Sequence, residues 1–396
     1  MRGSPPSPDV LVTLDNWQDP PFNRWGFQHV RDLIPTARID RGDGPPRRLP
    51  GAERDLSRVT IRAAGRRVRL QRLLDETYTD GLLVLHRGKV VTELYANDLT
   101  PSTTHLLMSV SKSITSAVTG SLFGRGLIRR EDLVTQHVPE LAGTSFEGCT
   151  VGHLLDMRAG TRFDEDYDNL EADVRVYEQI YLWRPRTHRR LPASITDYFA
   201  TLRNTGPHGG PFEYRSILTD LLGWVIERAG GARFPQLVSR ELWAPMGAEF
   251  DADVTVDAHG NAMADGGICC TLRDLARFGQ VMLDGGRRGS RQIVPRSWIR
   301  DTLTPDPDTV AAFEATADAR EFPKGAFYRN KWWVIDPLGP IYMASGINGQ
   351  TVLIHVPARV VIAKLSTWPV AWDASFSMPT WTGLAHLAEQ IADGRA

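Results

Sequence analysis

Apolar positions follow two periods along this chain, and the switches between them outline its architecture. Gly81-Leu-Leu-Val-Leu-His86 and Val90-Val-Thr-Glu-Leu-Tyr95 are strand-like runs joined by Arg87-Gly-Lys89, which predicts a hairpin. From Ser109 to Phe123 the pattern turns helical: Ile114, Val118 and Leu122 recur four apart, and Gly124-Arg-Gly126 supplies a stop. Between 136 and 262 helical patterns, such as Val151–Met157 and Ile217–Arg228, alternate with long loops. Thr271 caps a further predicted helix over Leu272–Met282 that stops at Gly285-Gly286. Strand patterns return at Lys331–Ile335, Thr351–Val356 and Val360–Leu365, the last two hinged at Pro357-Ala-Arg359, and a helix near Thr380–Ala392 closes the chain.

Strands at both ends around a helical middle predict an α+β fold: an antiparallel sheet built from both ends of the chain, flanked by helices, with a largely helical inserted region. Residues 1–57, rich in Pro, Arg and Gly and without sustained periodicity, are expected as an extended N-terminal arm. Residues 58–135 and 263–396 would form the α/β region with the sheet, and 136–262 the mainly helical region, all within one domain. The sequence shows no repeat or low-complexity tract.

Composition narrows the function classes. With 396 residues, 42% hydrophobic and 23% charged, the chain can bury a sizeable core. A formal net charge of −1 gives nucleic acid no electrostatic footprint. The densest basic stretch, Arg184-Pro-Arg-Thr-His-Arg-Arg190, is expected as a solvated loop. Prolines in Met1–Asp9 leave no apolar run for a secretory signal, and no stretch of about 18 uncharged apolar residues would span a membrane. A soluble, cytoplasmic protein is the expectation. The three cysteines, Cys149, Cys269 and Cys270, have neither the even count of a disulfide framework nor the spacing of zinc ligands.

Several catalytic signatures are missing: G-x-S-x-G, G-x-G-x-x-G, G-x-x-x-x-G-K-[ST] and H-E-x-x-H. What stands out is Ser109-Val-Ser-Lys112. Of the five lysines, Lys112 alone has a serine three residues earlier. On a helix, positions i and i+3 share a face, so the Lys112 amine can reach Ser109 Oγ. At a first helical turn the Ser109 N–H has no intrahelical acceptor and is free for an oxyanion. The amine must be neutral to accept a proton, and burial among Leu106, Leu107, Met108 and Ile114 favours the neutral form. The other reading is an ordinary helix start capped by Ser109 beside a partly buried lysine.

Two further stretches bear on that choice. Tyr214-Arg-Ser216 precedes an apolar helix and offers a phenol as a second proton carrier, or simply a packed tyrosine. Met343–Gln350 is a small-residue stretch whose backbone N–H groups could complete an oxyanion hole, or simply a glycine-rich turn. The three in this order resemble the pattern of the serine β-lactamases, penicillin-binding proteins and related esterases. Within that superfamily the chain more closely resembles the nylon-oligomer hydrolases, the 6-aminohexanoate-dimer hydrolase family. The matching stretches are Trp17–Trp25, Tyr78–Asp80, His105–Ser113, Val138–Gly143, Glu165–Tyr167, Cys270–Arg277, Met282–Gly286 and Lys364–Pro369.

The resemblance implies a β-lactamase/transpeptidase-like fold and a serine hydrolase of small amides or esters without metal or organic cofactor. By it Ser109 is the nucleophile, Lys112 the general base and Tyr214 the proton donor to the leaving group. The N–H groups of Ser109 and Ser345 become the oxyanion hole. A lid tyrosine falls on Tyr167, an acid that meets the substrate's amine on Glu178, and a pocket-lining polar residue on Asp265. For Glu178 and Asp265 a solvated carboxylate on a loop is the competing reading. Val370 and Ile180-Tyr-Leu182 depart from the family, which allows a differently shaped site. The superfamily's lysine-bearing K-T-G element would align with Tyr342-Met-Ala344, so β-lactamase or D-alanyl-peptidase activity loses its lysine. Transfer of the acyl group to an amine or alcohol other than water stays open, as does a homodimer, and a binding module with a merely structural Ser-Lys pair is the non-enzymatic alternative.

Overall fold

The computed structural model describes residues 4–187 and 190–396. Its main sheet has seven antiparallel strands: β1 (Thr79–His86), β2 (Lys89–Tyr95), β3 (Phe327–Arg329), β4 (Trp332–Asp336), β5 (Ile341–Gly346), β6 (Gln350–His355) and β7 (Val360–Ser366), in the order β3-β4-β5-β6-β7-β1-β2. The β1–β2 hairpin closes through Arg87 and Gly88, both at positive φ (52° and 77°), as a two-residue hairpin turn demands. The sheet joins distant parts of the chain where Val360 in β7 pairs with His86 in β1.

Helices cover both sheet faces, which is why its central strands read as unbroken apolar runs rather than alternating ones. We label α1 (Val110–Gly124), α2 (Asp173–Ile180), α3 (Ile217–Gly230), α4 (Leu272–Leu283) and α5 (Ala374–Ala392). On one face Leu83, Leu85, Val361 and Ala363 join Leu275 and Phe278 of α4 in the larger core. Their sequence neighbours Leu82, Val84, Val360 and Ile362 point the other way and pack with Leu384, Leu387 and Ile391 of α5 in a second core. Helix α1 is buried at every position from Val110 to Leu122, as a helix at the centre of a domain must be.

The structure departs from the sequence reading in three places. A second, four-stranded sheet, Thr36–Ile39, Ala252–Thr255, Ile268–Cys270 and His105–Leu106 in that order, was not foreseen. Its strands have two to four residues and owe their pairing to distant partners, such as Thr36 with Thr255. Residues 4–57 include short helices at Asn23–Gly26 and Val30–Leu33, and they bury Trp17, Phe27, Val30 and Ile39 in the main core. Finally, α5 begins at Ala374 rather than near Thr380 and carries Pro379 within it. Asp373 accepts the Ser375 N–H at 2.7 Å, and Trp381 and Leu384 are buried one turn on; capping and burial together carry the helix past the proline.

In the basic stretch, Arg184 is not simply solvated, since it pairs with Glu178; His188 and Arg189 lie outside the described residues. Among the described residues no helix is long and apolar enough to cross a membrane, and no group of three or more His, Cys, Asp or Glu is placed to hold a metal ion. Cys149, Cys269 and Cys270 are free and buried.

Candidate active site

The strand His105–Leu106 runs into α1 through a sharp turn, where Met108 adopts φ 48°, a left-handed conformation unfavourable for a side chain of its size. The turn lifts Ser109 onto the N-terminal end of α1, where its N–H lacks an intrahelical acceptor. The end of β5 lies against this turn. A Cβ on Gly346 would meet the Ser109 nitrogen at 3.0 Å and the Leu107 carbonyl oxygen at 2.9 Å, so only glycine lets Ser345 come so close to the serine.

One helical turn below, the Lys112 amine is 2.7 Å from Ser109 Oγ. It is almost wholly buried, at 1% exposure, and also contacts the Asp265 carbonyl oxygen (3.3 Å) and carboxylate Oδ2 (3.2 Å). The Tyr214 ring lies 5.2 Å from the amine, and Tyr214 and Ser109 line the same cavity. Thus Ser109, Lys112, Tyr214 and Ser345, singled out in the sequence, come together. Ser109, Tyr214 and Ser345 line a cavity of about 350 Å³ with Tyr167 and Glu165.

The protonation state of Lys112 differs from the expectation. Burial does oppose its charge, but the fields of Tyr214, Asp265 and Glu165 and the Asp265 hydrogen bond outweigh burial, so its pKa lies above the ordinary lysine value. The resting amine is therefore an ammonium. The pKa of Tyr214 is also displaced upward, by burial against the pull of Lys112.

Asp265 anchors a chain of buried groups. The Tyr177 hydroxyl is 2.6 Å from Asp265 Oδ1 and also contacts Asp220 Oδ2. One phenolic proton cannot serve two carboxylates, so one acid holds a proton of its own. Burial and the charge of Asp265 raise the pKa of Asp220 well above the usual carboxylate range. Tyr177 thus bridges Asp220 and Asp265, and Asp265 in turn meets Lys112. The solvated reading of Asp265 is corrected: it is 4% exposed.

Glu178 is likewise buried, at 3% exposure, and it is already paired with Arg175 (2.8 Å) and Arg184 (2.6 Å). The crevice it lines with Ser109, Tyr167 and Asp265 holds only about 20 Å³, room for little more than one water. Two guanidinium groups and so little space leave Glu178 no capacity for a substrate amine in this conformation. Tyr167 stands at the cavity, its hydroxyl donating to Glu165 at 3.0 Å.

Sequence reasoning missed several participants. Glu165 accepts the Ser216 N–H at 2.5 Å and so fixes the Tyr214–Ser216 turn. Asp220, an acid inside the apolar pattern of α3, had a visible signal, since a carboxylate on a buried face demands a partner. Arg175, three residues before Glu178 on α2, was readable from helical spacing. Lys331 had none: it is buried beside Met157 Sδ (3.1 Å), and burial followed by the charge of Lys112 pulls its pKa well below the ordinary lysine value.

A sheet with helices on both faces and a serine-lysine pair at the head of its buried central helix place the chain in the β-lactamase/transpeptidase fold. The chain belongs to the β-lactamase family, whose model matches residues 70–376. Within it the chain is 38% identical, over 90% of its own length and 88% of the relative's, to the 6-aminohexanoate-dimer hydrolase of Paenarthrobacter ureafaciens. A solved structure from Bacillus anthracis, assigned as a 6-aminohexanoate-dimer hydrolase, superposes with a TM-score of 0.87 at 27% identity, covering 98% of this chain and 99% of that one. A family VIII carboxylesterase shares the fold alone, with a TM-score of 0.58 at 14% identity over 79% of this chain and 96% of its own. The protein is thus an enzyme, a β-lactamase-fold hydrolase similar to the 6-aminohexanoate-dimer hydrolases.

Proposed function

We propose that the enzyme hydrolyses small amides or esters through an acyl-enzyme on Ser109. The observation that carries this reading is the 2.7 Å contact between Lys112 Nζ and Ser109 Oγ at the floor of a cavity of about 350 Å³. In the neutral amine the two remaining N–H bonds point to the Asp265 carbonyl and carboxylate, which leaves the lone pair aimed at the serine hydroxyl. As Oγ attacks the substrate carbonyl, Lys112 takes the hydroxyl proton, and the oxyanion sits between the N–H groups of Ser109 and Ser345. Tyr214 then gives its proton to the departing nitrogen or oxygen as the old bond breaks, and the Lys112 ammonium reprotonates the phenolate. Water entering the same positions reverses these proton movements, releases the acid and restores Ser109. Tyr167, held by Glu165, lines the same cavity.

The test is covalent labelling. A fluorophosphonate should add its mass to the peptide bearing Ser109, and Ser109→Ala should abolish labelling and lower kcat on p-nitrophenyl esters by at least about a thousandfold with the fold intact. An alanine variant that still labels, or that keeps near-native turnover, removes Ser109 from the chemistry.

A further inference from the structure

The cavity beside Ser109 has a wall that the mechanism does not use. Tyr214 stacks on Trp333 (centroids 5.5 Å apart), Trp333 on Phe322 (5.1 Å), Phe322 on Trp381 (5.3 Å), and Trp381 meets Trp372 at 5.3 Å. This row of rings starts at the proposed leaving-group proton donor and runs away from it, so it flanks the path of a departing amine or alcohol. Two carboxylates face the same space: Glu321 within the wall and Asp318 at its rim. Glu321 lies beside Trp372 in the lining, and its Oε2 is shielded from solvent and has no hydrogen-bond partner. Among the residues lining this cavity there is no lysine, arginine or histidine.

We propose that the leaving group of the substrate carries an alkylammonium centre, seated against Trp372 and Trp381 at the outer end of the ring row and facing Glu321 and Asp318. This rests on the reading of Ser109 and Tyr214 given above and adds to it the chemical class of the leaving group. Aromatic faces attract cations through their quadrupole, and the attraction is strongest where both sides are desolvated. Burial raises the pKa of Glu321 and of Asp318, and a cation beside them would replace the solvation they have lost. A leaving group ending in a carboxylate would instead meet two acids here, with Glu165 a third in the same cavity. The chemistry is ordinary acyl transfer to water: the acyl bond to the leaving oxygen or nitrogen breaks, and the cationic alcohol or amine departs with the proton from Tyr214.

A pair of isosteric esters tests the charge with shape held constant. Butyrylcholine and 3,3-dimethylbutyl butyrate differ in one atom, a quaternary nitrogen against a carbon. The wild type should favour the choline ester by about tenfold or more in kcat/KM. That ratio should fall towards one in the Asp318→Asn/Glu321→Gln double variant and drop several-fold in Trp372→Leu, a position exposed enough to tolerate the change. A ratio within about twofold of one in the wild type, or an unaltered ratio in the double variant, overturns the cationic site. So does failure to turn over either ester while p-nitrophenyl butyrate is still cleaved. Turnover of p-nitrophenyl butyrate that disappears in Ser109→Ala upholds the hydrolase reading whatever the ratio, so the two ideas fail separately.

Discussion

In the proposed mechanism Lys112 must shed a proton before it can accept one from Ser109, and its neighbours hold that proton on. Burial favours the neutral amine, but Tyr214, Asp265 and Glu165 together win, and the pKa stands above that of free lysine. A base whose pKa is raised is competent in a smaller fraction of molecules at neutral pH, so kcat/KM should climb as pH rises from about 7 to about 10. Removing one of the anions reverses part of the shift: Asp265→Asn should move the rising limb to lower pH, measured as the midpoint of the pH profile rather than the absolute rate. A limb that stays in place or moves to higher pH would show that Asp265 does not set the charge of the lysine. Tyr214 is tested by comparing substrates. An amide nitrogen leaves only when protonated, whereas p-nitrophenolate leaves unaided, so Tyr214→Phe should depress amide turnover about tenfold or more beyond its effect on the ester. Equal losses would place the phenol in serine activation instead.

At the scale of the element, the site depends on how closely one strand end approaches one turn. Gly346 is the hinge of that approach: a methyl group there lies 3.0 Å from the Ser109 nitrogen and 3.0 Å from Met108 Cβ, closer than packed atoms normally come. Gly346→Ala should push β5 outward by a few tenths of an ångström and lower kcat by about tenfold or more, while circular dichroism stays unchanged. Full activity in that variant would mean that the N–H of Ser345 is not needed where it stands. The β1–β2 hairpin, α1, α3 and α4 with its Thr271 cap were legible because each is specified within a dozen or so residues. The sheet that delivers Ser109 was not, because a pair such as Asp253 with Cys269, or Thr36 with Thr255, carries no local signal. The same distinction explains the site. Ser109 and Lys112 share one helix and could be read together, whereas Asp265 and Glu165, which help set the lysine's charge, arrive from other segments. The pairing of Glu178 with one arginine on its own helix and another in the following loop likewise joins separate segments.

For the whole molecule, the N-terminal segment is a structural partner of the catalytic body. Trp17 is fully buried, donates its indole N–H to the Trp183 carbonyl at 2.7 Å and packs edge-on against Phe27 and Trp183. Trp17→Ala should lower the unfolding free energy by about 3–5 kcal/mol in a urea titration, because it leaves a large cavity and an unpaired carbonyl. A loss below about 1 kcal/mol would mean that this segment unfolds independently of the body.

The pairing of β1 with β7 also orders events during synthesis. A ribosome releases the first hairpin and the helix with its serine-lysine pair long before it releases β5 and β7, so one edge of β1 waits unpaired through most of translation. The nascent chain holds the serine-lysine pair without the strand that closes the pocket over it. A product truncated before residue 341 would therefore be inert and prone to aggregate, and competence would arrive only with the final strands. In this arrangement the carboxy-terminal part of the chain acts as the clock of maturation.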